Sequence, residues 1–203
     1  PVNDEVFDVP RPADQDRRGE TGKPLTVCHV SHLGRNKRPE ETIRAVARLA
    51  RADLAAGREP TRLLLVGGEP HEIEPLRELA RVEGIEQTST FTGRVPHDEV
   101  AGLMAASDVF VLASEVEAGG TVLAEAQALG LACVATPTWA GRFMVEPETG
   151  VVLPTAAQRD DDALVASLTE ALAQVTDSIR AGGYLPEEIR ARARQRFGEA
   201  TFV

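Results

Sequence analysis

Lysine is nearly missing from this chain. Only Lys23 and Lys37 occur in 203 residues, and acidic side chains outnumber basic ones 32 to 22, leaving a net charge of −10. So acidic a chain offers no broad surface for nucleic acid or an anionic membrane, and an anionic ligand must be met by positive charge gathered locally. Cysteine is equally scarce, with two examples, Cys28 and Cys133. Both fall in apolar, strand-like runs, where a small buried side chain is a better reading than a disulfide or a metal ligand, and no metal is expected. No apolar run approaches the roughly 18 residues of a membrane span, and the first residues are polar, without a signal-peptide core. A soluble, cytoplasmic protein that does not bind nucleic acid is the expectation. The hydrophobic content of 42% suffices for one good core and hardly for two full domains.

What is present is alternation. Residues 25–30, 62–66, 88–92, 108–113, 131–136 and 150–153 are short β-branched or aliphatic runs of the kind that form strands. Between them apolar residues recur at helical spacing, as in Ile43, Val46, Ala47 and Ala50, or Val122, Leu123, Ala126 and Leu129. This order predicts an α/β fold: a Rossmann-like, doubly wound parallel sheet with ligand sites at the carboxyl ends of its strands. Residues 1–23 hold Pro1, Pro10 and Pro12 and read as a lead-in segment without an element of its own, in which Val6 and Phe7 pack locally. Residues 24–176 form the Rossmann-like domain, and residues 177–203 a helical extension. Arg190, Arg192, Arg194 and Arg196 are spread around the last helix, which reads as solvated and partner-facing.

The chemistry centres on residues 114–126. Gly119 and Gly120 follow a buried strand and open a helix that Gly130 stops. Free amides and the positive end of the dipole at such a start attract an anion, typically a phosphate. Glu117 sits beside that start, and Glu125 lies about five residues into the helix, roughly 7 to 8 Å along its axis. That is about the step from a phosphate to the ribose of its nucleotide. A bland reading stands beside this one, in which both glutamates favour a helix start and face water. Arg35, Lys37 and Arg38 crowd the loop after the first strand; they either neutralise a diphosphate or balance Glu40 and Glu41. Trp139, the only tryptophan, lies in a loop over residues 137–144, where it stacks on a sugar or caps the core.

The pattern Ser-x-x-Glu-x-x-Gly-x-x-x-x-Glu-Ala-x-Ala-x-Gly, carried by Ser114, Glu117, Gly120, Glu125, Ala126, Ala128 and Gly130, resembles the retaining GT-B glycosyltransferases with a Glu-x7-Glu motif, the glycosyl transferases group 1 family. The resemblance covers residues 24 to 176. It implies the single C-terminal, donor-binding domain of a GT-B fold and a nucleoside diphosphate sugar as donor substrate, with no further cofactor. It also implies that a separate N-terminal, acceptor-binding domain is a missing partner. Glu117 would lie against the donor sugar, Gly119, Gly120, Thr121 and Val122 would hold the distal phosphate, and Glu125 the ribose. Lys37 would stabilise the departing diphosphate together with Arg35 or with His32, which occupies the place of the family's arginine. Backbone near Arg94 and Val95 would hold the nucleobase.

Two departures are visible. Gly119 replaces the family's aromatic, and residues 137–144 lack the proline and glutamate of the family's turn. They leave a second reading open: a non-catalytic nucleotide-sugar-binding module kept for a partner interface. A dinucleotide-dependent dehydrogenase is disfavoured, because residues 31–38 lack Gly-x-Gly-x-x-Gly.

Overall fold

The computed structural model describes residues 2–12 and 23–198. A one-turn helix, α1 (Asp4–Phe7), leads into the alternation β1 (Thr26–Val30), α2 (Pro39–Ala55), β2 (Arg62–Val66), α3 (Pro70–Val82), β3 (Ser89–Gly93) and α4 (His97–Ala105). It continues with β4 (Val109–Leu112), α5 (Thr121–Ala128), β5 (Ala132–Ala135), α6 (Trp139–Met144), β6 (Gly150–Val152), α7 (Asp161–Arg180) and α8 (Pro186–Phe197). The strands form one parallel sheet in the order β3-β2-β1-β4-β5-β6, which is the doubly wound arrangement expected from the alternation. None of the described helices is long and apolar enough to cross a membrane.

The continuous apolar strands follow from burial on both faces. Val27, Leu63, Leu65, Val109, Val111 and Val134 point to one side, against Ile43 and Val46 of α2, Ile73 of α3 and Leu168 and Leu172 of α7. Cys28, Leu64, Val66, Phe110, Leu112 and Cys133 point to the other, against Met104 of α4, Leu123 and Ala126 of α5, Ala140 of α6 and Ala193 and Phe197 of α8. Both cysteines are free and buried, and burial raises the pKa of each thiol. A side chain such as Phe110, fully enclosed, contributes about 1.5 to 3 kcal/mol. The edge strand β3, Ser-Thr-Phe-Thr-Gly, is the polar one and is only partly covered. Buried Asp53, near the end of α2, accepts from the amide and hydroxyl of Thr61 and pairs with Arg58 and Arg180, tying α2 to the end of α7.

Three sequence expectations need correction. The lead-in segment does contain an element: Asn3 caps α1 by accepting from the Glu5 amide, and Val2 and Phe7, 3% and 5% exposed, join the core beside α5 and α8. Residues 13–22 of that segment lie outside the described residues. The loop expected over 137–144 is largely helix α6, because the Thr138 hydroxyl caps it by accepting from the Gly141 amide. Helix α8 is solvated on one side only, where Arg192 and Arg194 lie. Ile189, Ala193 and Phe197 are buried, Arg190 donates to the carbonyls of Phe7, Val9 and Leu129, and Arg196 donates to those of Phe143 and Met144. Its arginines fasten the carbonyl ends of three other helices, where cations are favoured. Helix α7 itself runs through residue 176 to Arg180.

Candidate functional site

Strand order reverses between β1 and β4, so the loops leaving these two strands diverge around a crevice at their carboxyl ends. Across it the Asn36 carbonyl accepts from the Glu115 amide at 2.8 Å, and Lys37 Nζ donates to Glu117 Oε2 at 2.7 Å. Two residues 80 positions apart thus meet because of sheet topology. Partial burial pushes the Glu117 carboxyl up, but the Lys37 hydrogen bond and the Gly120 amide, 3.3 Å from Oε1, outweigh it and hold the pKa below its ordinary value. Arg38, in the left-handed region at φ 56°, anchors the far end of the same loop through Glu41, Glu115 and Asp161.

The glycines behind this pair differ in kind. Gly120 has φ 62°, and a Cβ there would lie 2.6 Å from Ala140 Cβ and 2.7 Å from Met144 Sδ, so α6 packs where a side chain would be. The Ala140 amide also holds the Glu117 carbonyl at 3.2 Å, which makes α6 the support of the Glu117 turn. A Cβ on Gly119 meets nothing within 4 Å, so glycine is not required there.

Beside the pair opens a cavity of about 550 Å³. His32, Arg94, Val95, Thr121, Val122 and Glu125 line it together, so six of the expected site residues border one cavity. Thr121 and Val122 belong to the first turn of α5, whose amides have no partner within the helix. The Glu125 carboxylate makes no hydrogen bond or ion pair with the described residues; burial raises its pKa, and the charge of His97 offsets part of that rise. Arg94 is held by Glu69 at 3.1 Å. Arg35 is not on this cavity. It borders a neighbouring hollow with Gly34, Pro39, Glu41 and Asp161.

Sequence reasoning missed several members of the site. His97 opens α4 and lines the cavity near Glu125. Ser31 lines it too, and buried His29 stands behind Ser31 at 2.9 Å; a histidine inside an otherwise apolar strand was the available signal. Trp139 neither caps the core nor is hidden. It is 62% exposed and stacks on Phe143, itself 58% exposed, with ring centroids 4.9 Å apart.

A doubly wound sheet with a helix start, a lysine and two carboxylates gathered at its switch point is a Rossmann-like domain, and its fold is that of the GT-B glycosyltransferases. Within that class, the chain belongs to the glycosyl transferases group 1 family, whose pattern matches residues 10–195. It is 32% identical over 182 residues to a glycogen synthase of Mycobacterium tuberculosis, covering 89% of this chain and 39% of the relative. It is 36% identical over 110 residues to N-acetyl-alpha-D-glucosaminyl L-malate synthase of Bacillus anthracis, covering 54% of this chain and 26% of the relative. The chain thus spans well under half the length of these curated relatives. Among solved structures it resembles WaaG, a glycosyltransferase involved in lipopolysaccharide biosynthesis, with a TM-score of 0.67 and 24% identity over 87% of this chain and 44% of that one. HepE of Anabaena, solved in complex with UDP and glucose, has a TM-score of 0.65 and 23% identity over 88% of this chain and 46% of that one. Likeness at such identities speaks for the fold.

Proposed function

We propose that this chain is the donor-binding domain of a retaining hexosyltransferase that uses a nucleoside diphosphate sugar. The observation that carries the reading is the Glu125 carboxylate, without a hydrogen bond or ion pair among the described residues, in the cavity that it lines with the first turn of α5 and His32. In this reading Glu125 accepts from the two ribose hydroxyls, and backbone near Arg94 and Val95 borders the base. The amides from Gly120 to Val122 hold the distal phosphate. As the bond from the sugar's anomeric carbon to the diphosphate oxygen breaks, the electron pair stays on the phosphate, an acceptor hydroxyl oxygen bonds to the anomeric carbon, and that hydroxyl's proton passes to the departing phosphate oxygen. Lys37, with His32 rather than Arg35, stabilises the charge that develops there. Glu117 orients the sugar, and Lys37 must release part of its contact with Glu117 to meet the phosphate.

Membership of the family and the glycogen synthase relative support glycosyl transfer. A GDP-mannose-dependent mannosyltransferase of Mycolicibacterium smegmatis, 34% identical over 143 residues, is compatible with a nucleotide-linked donor; the match covers 66% of this chain and 34% of that relative. An acceptor is held by a further domain in this reading, because a cleft needs a second wall to exclude water. Thermal shift with UDP, GDP, ADP and their sugars tests donor binding. At least one nucleotide sugar should raise the melting temperature, while the 203-residue chain alone transfers no sugar. A response to none would reject the donor site, robust transfer would reject the need for a second wall, and binding without transfer by a full-length protein would favour a non-catalytic module.

A further inference from the structure

His29 lies in β1, 1% exposed, in a strand whose other inward residues are apolar. Its ring touches two hydroxyls, Nε2 at 2.9 Å from Ser31 Oγ and Nδ1 at 3.5 Å from Thr42 Oγ1. Proton bookkeeping decides the tautomer. Of its two contacts the Thr42 hydroxyl is nearer the Arg38 carbonyl, at 3.1 Å against 3.5 Å to Nδ1; donating there, it accepts from His29, and Nδ1 carries the hydrogen. Nε2 is then a bare acceptor and takes the Ser31 hydroxyl hydrogen, while Ser31 Oγ accepts from the Leu33 amide at 3.0 Å. The opposite tautomer would require the Thr42 hydroxyl to leave the Arg38 carbonyl, its shorter contact, and turn to Nδ1 at 3.5 Å.

The two ends of this relay fall at the two strained points of one loop. Leu33 and Arg38 both adopt positive φ, 54° and 56°, in the left-handed region that side chains other than glycine rarely occupy. One is held through Ser31 and the other through Thr42, and both converge on the His29 ring. Between and beside them lie His32 on the cavity wall and Lys37 on Glu117. Burial, with the nearby charge of Lys37 as a second cause, pulls the imidazole pKa down to about 4, consistent with a neutral ring at working pH.

We infer that His29, as the neutral Nδ1–H tautomer, is a positioning residue that pins both turns of the loop over residues 31–38 and so sets His32 and Lys37 for a diphosphate. The inference rests on the donor-site reading for its ligand and not for its geometry. Its test therefore has two arms. In the first, wild type, His29→Leu and His29→Gln are titrated with UDP and GDP and with uridine and guanosine. Losing the relay should weaken the diphosphate about tenfold in His29→Leu, the equivalent of one hydrogen bond to a charged group, and spare the nucleosides. His29→Gln, whose amide oxygen can accept the Ser31 hydrogen, should recover most of the loss. Equal weakening of nucleoside and diphosphate, no weakening, or no rescue overturns the inference.

The second arm needs no ligand. Ring-nitrogen NMR of the wild type at pH 7 should show a neutral His29 protonated on Nδ1, and amide exchange at Leu33 should quicken in His29→Leu while the central strands stay protected. An imidazolium, the Nε2–H tautomer, or unchanged Leu33 exchange would overturn the inference. If wild type binds neither nucleotide yet passes this arm, the donor reading fails and the loop role stands.

Discussion

Glu125→Ala should make the protein more stable and a poorer binder at once. The carboxylate is partly buried on the cavity wall, raised in pKa by its burial, and without a hydrogen bond or ion pair among the described residues. Burial therefore disfavours the charged form in the folded chain, a form that the unfolded chain would hydrate freely. Removing it, and gaining the better helix former in α5, should add about 0.5 to 2 kcal/mol, in line with other replacements of functional polar groups. For a chain of this size each kcal/mol raises the melting temperature by roughly 2 to 4 °C. Because the folded pKa lies above the ordinary value, the cost is present above that pKa and is relieved as pH falls through it. The stability gap between mutant and wild type should thus narrow on acidification. Binding moves the other way. Hydrogen bonds from ribose hydroxyls to a carboxylate are worth about 1.5 to 3 kcal/mol, so the mutant should bind a nucleoside diphosphate roughly ten- to a hundredfold more weakly. The 2',3'-dideoxy analogue should bind both proteins alike. Melting curves at neutral and acidic pH, with calorimetric titration of ribo- and dideoxynucleotide, measure both effects. A lower melting temperature in the mutant, or equal loss of the two nucleotides, would refute the reasoning.

Lys37→Ala should weaken UDP or GDP by about tenfold or more and leave the nucleosides unchanged, read by calorimetry, because its charge meets phosphate alone. The same change should flatten the acid limb of stability. The lowered Glu117 pKa contributes stability above the ordinary carboxylate value that is lost as pH falls through the folded one, and melting temperatures across that range should show a larger loss in wild type than in the mutant, which keeps the Gly120 amide. Gly120→Ala combines a strained φ with contacts of 2.6 and 2.7 Å to α6, and should cost about 1 to 3 kcal/mol in denaturant unfolding. Asp53→Ala leaves Arg58 and Arg180 without their buried partner and should cost about 3 to 5 kcal/mol, without changing nucleotide affinity once folded.

The sheet was legible because strands buried on both faces must be apolar throughout, as in Arg62–Val66, where the expected and observed bounds coincide. Short helices were not. Helix α6 spans six residues, too few for a periodicity to register, and Pro137 and Gly141 read as loop, although Thr138 was a visible cap. The arginines of α8 read as solvent-facing because sequence shows a charge and not the carbonyls it reaches. Motif spacing singled out Glu117, Lys37 and Glu125, but only strand order brings the first two into contact. His29 escaped notice because its meaning depends on Thr42 and Ser31, which no local pattern joins to it.

The Val2 amide donates to the Phe197 carbonyl at 2.8 Å, and the Arg194 guanidinium lies over the Phe7 ring at 4.8 Å. Residues 2 and 197 are therefore neighbours in the fold although 195 positions apart. A short bridge from residue 197 to residue 2, with new ends cut at Gly57, where nothing crowds the backbone, would give a circular permutant that retains every strand pairing. Closing the ring without the cut would act on the unfolded chain instead, removing loop entropy worth about 5 kcal/mol while leaving the native contacts as they are.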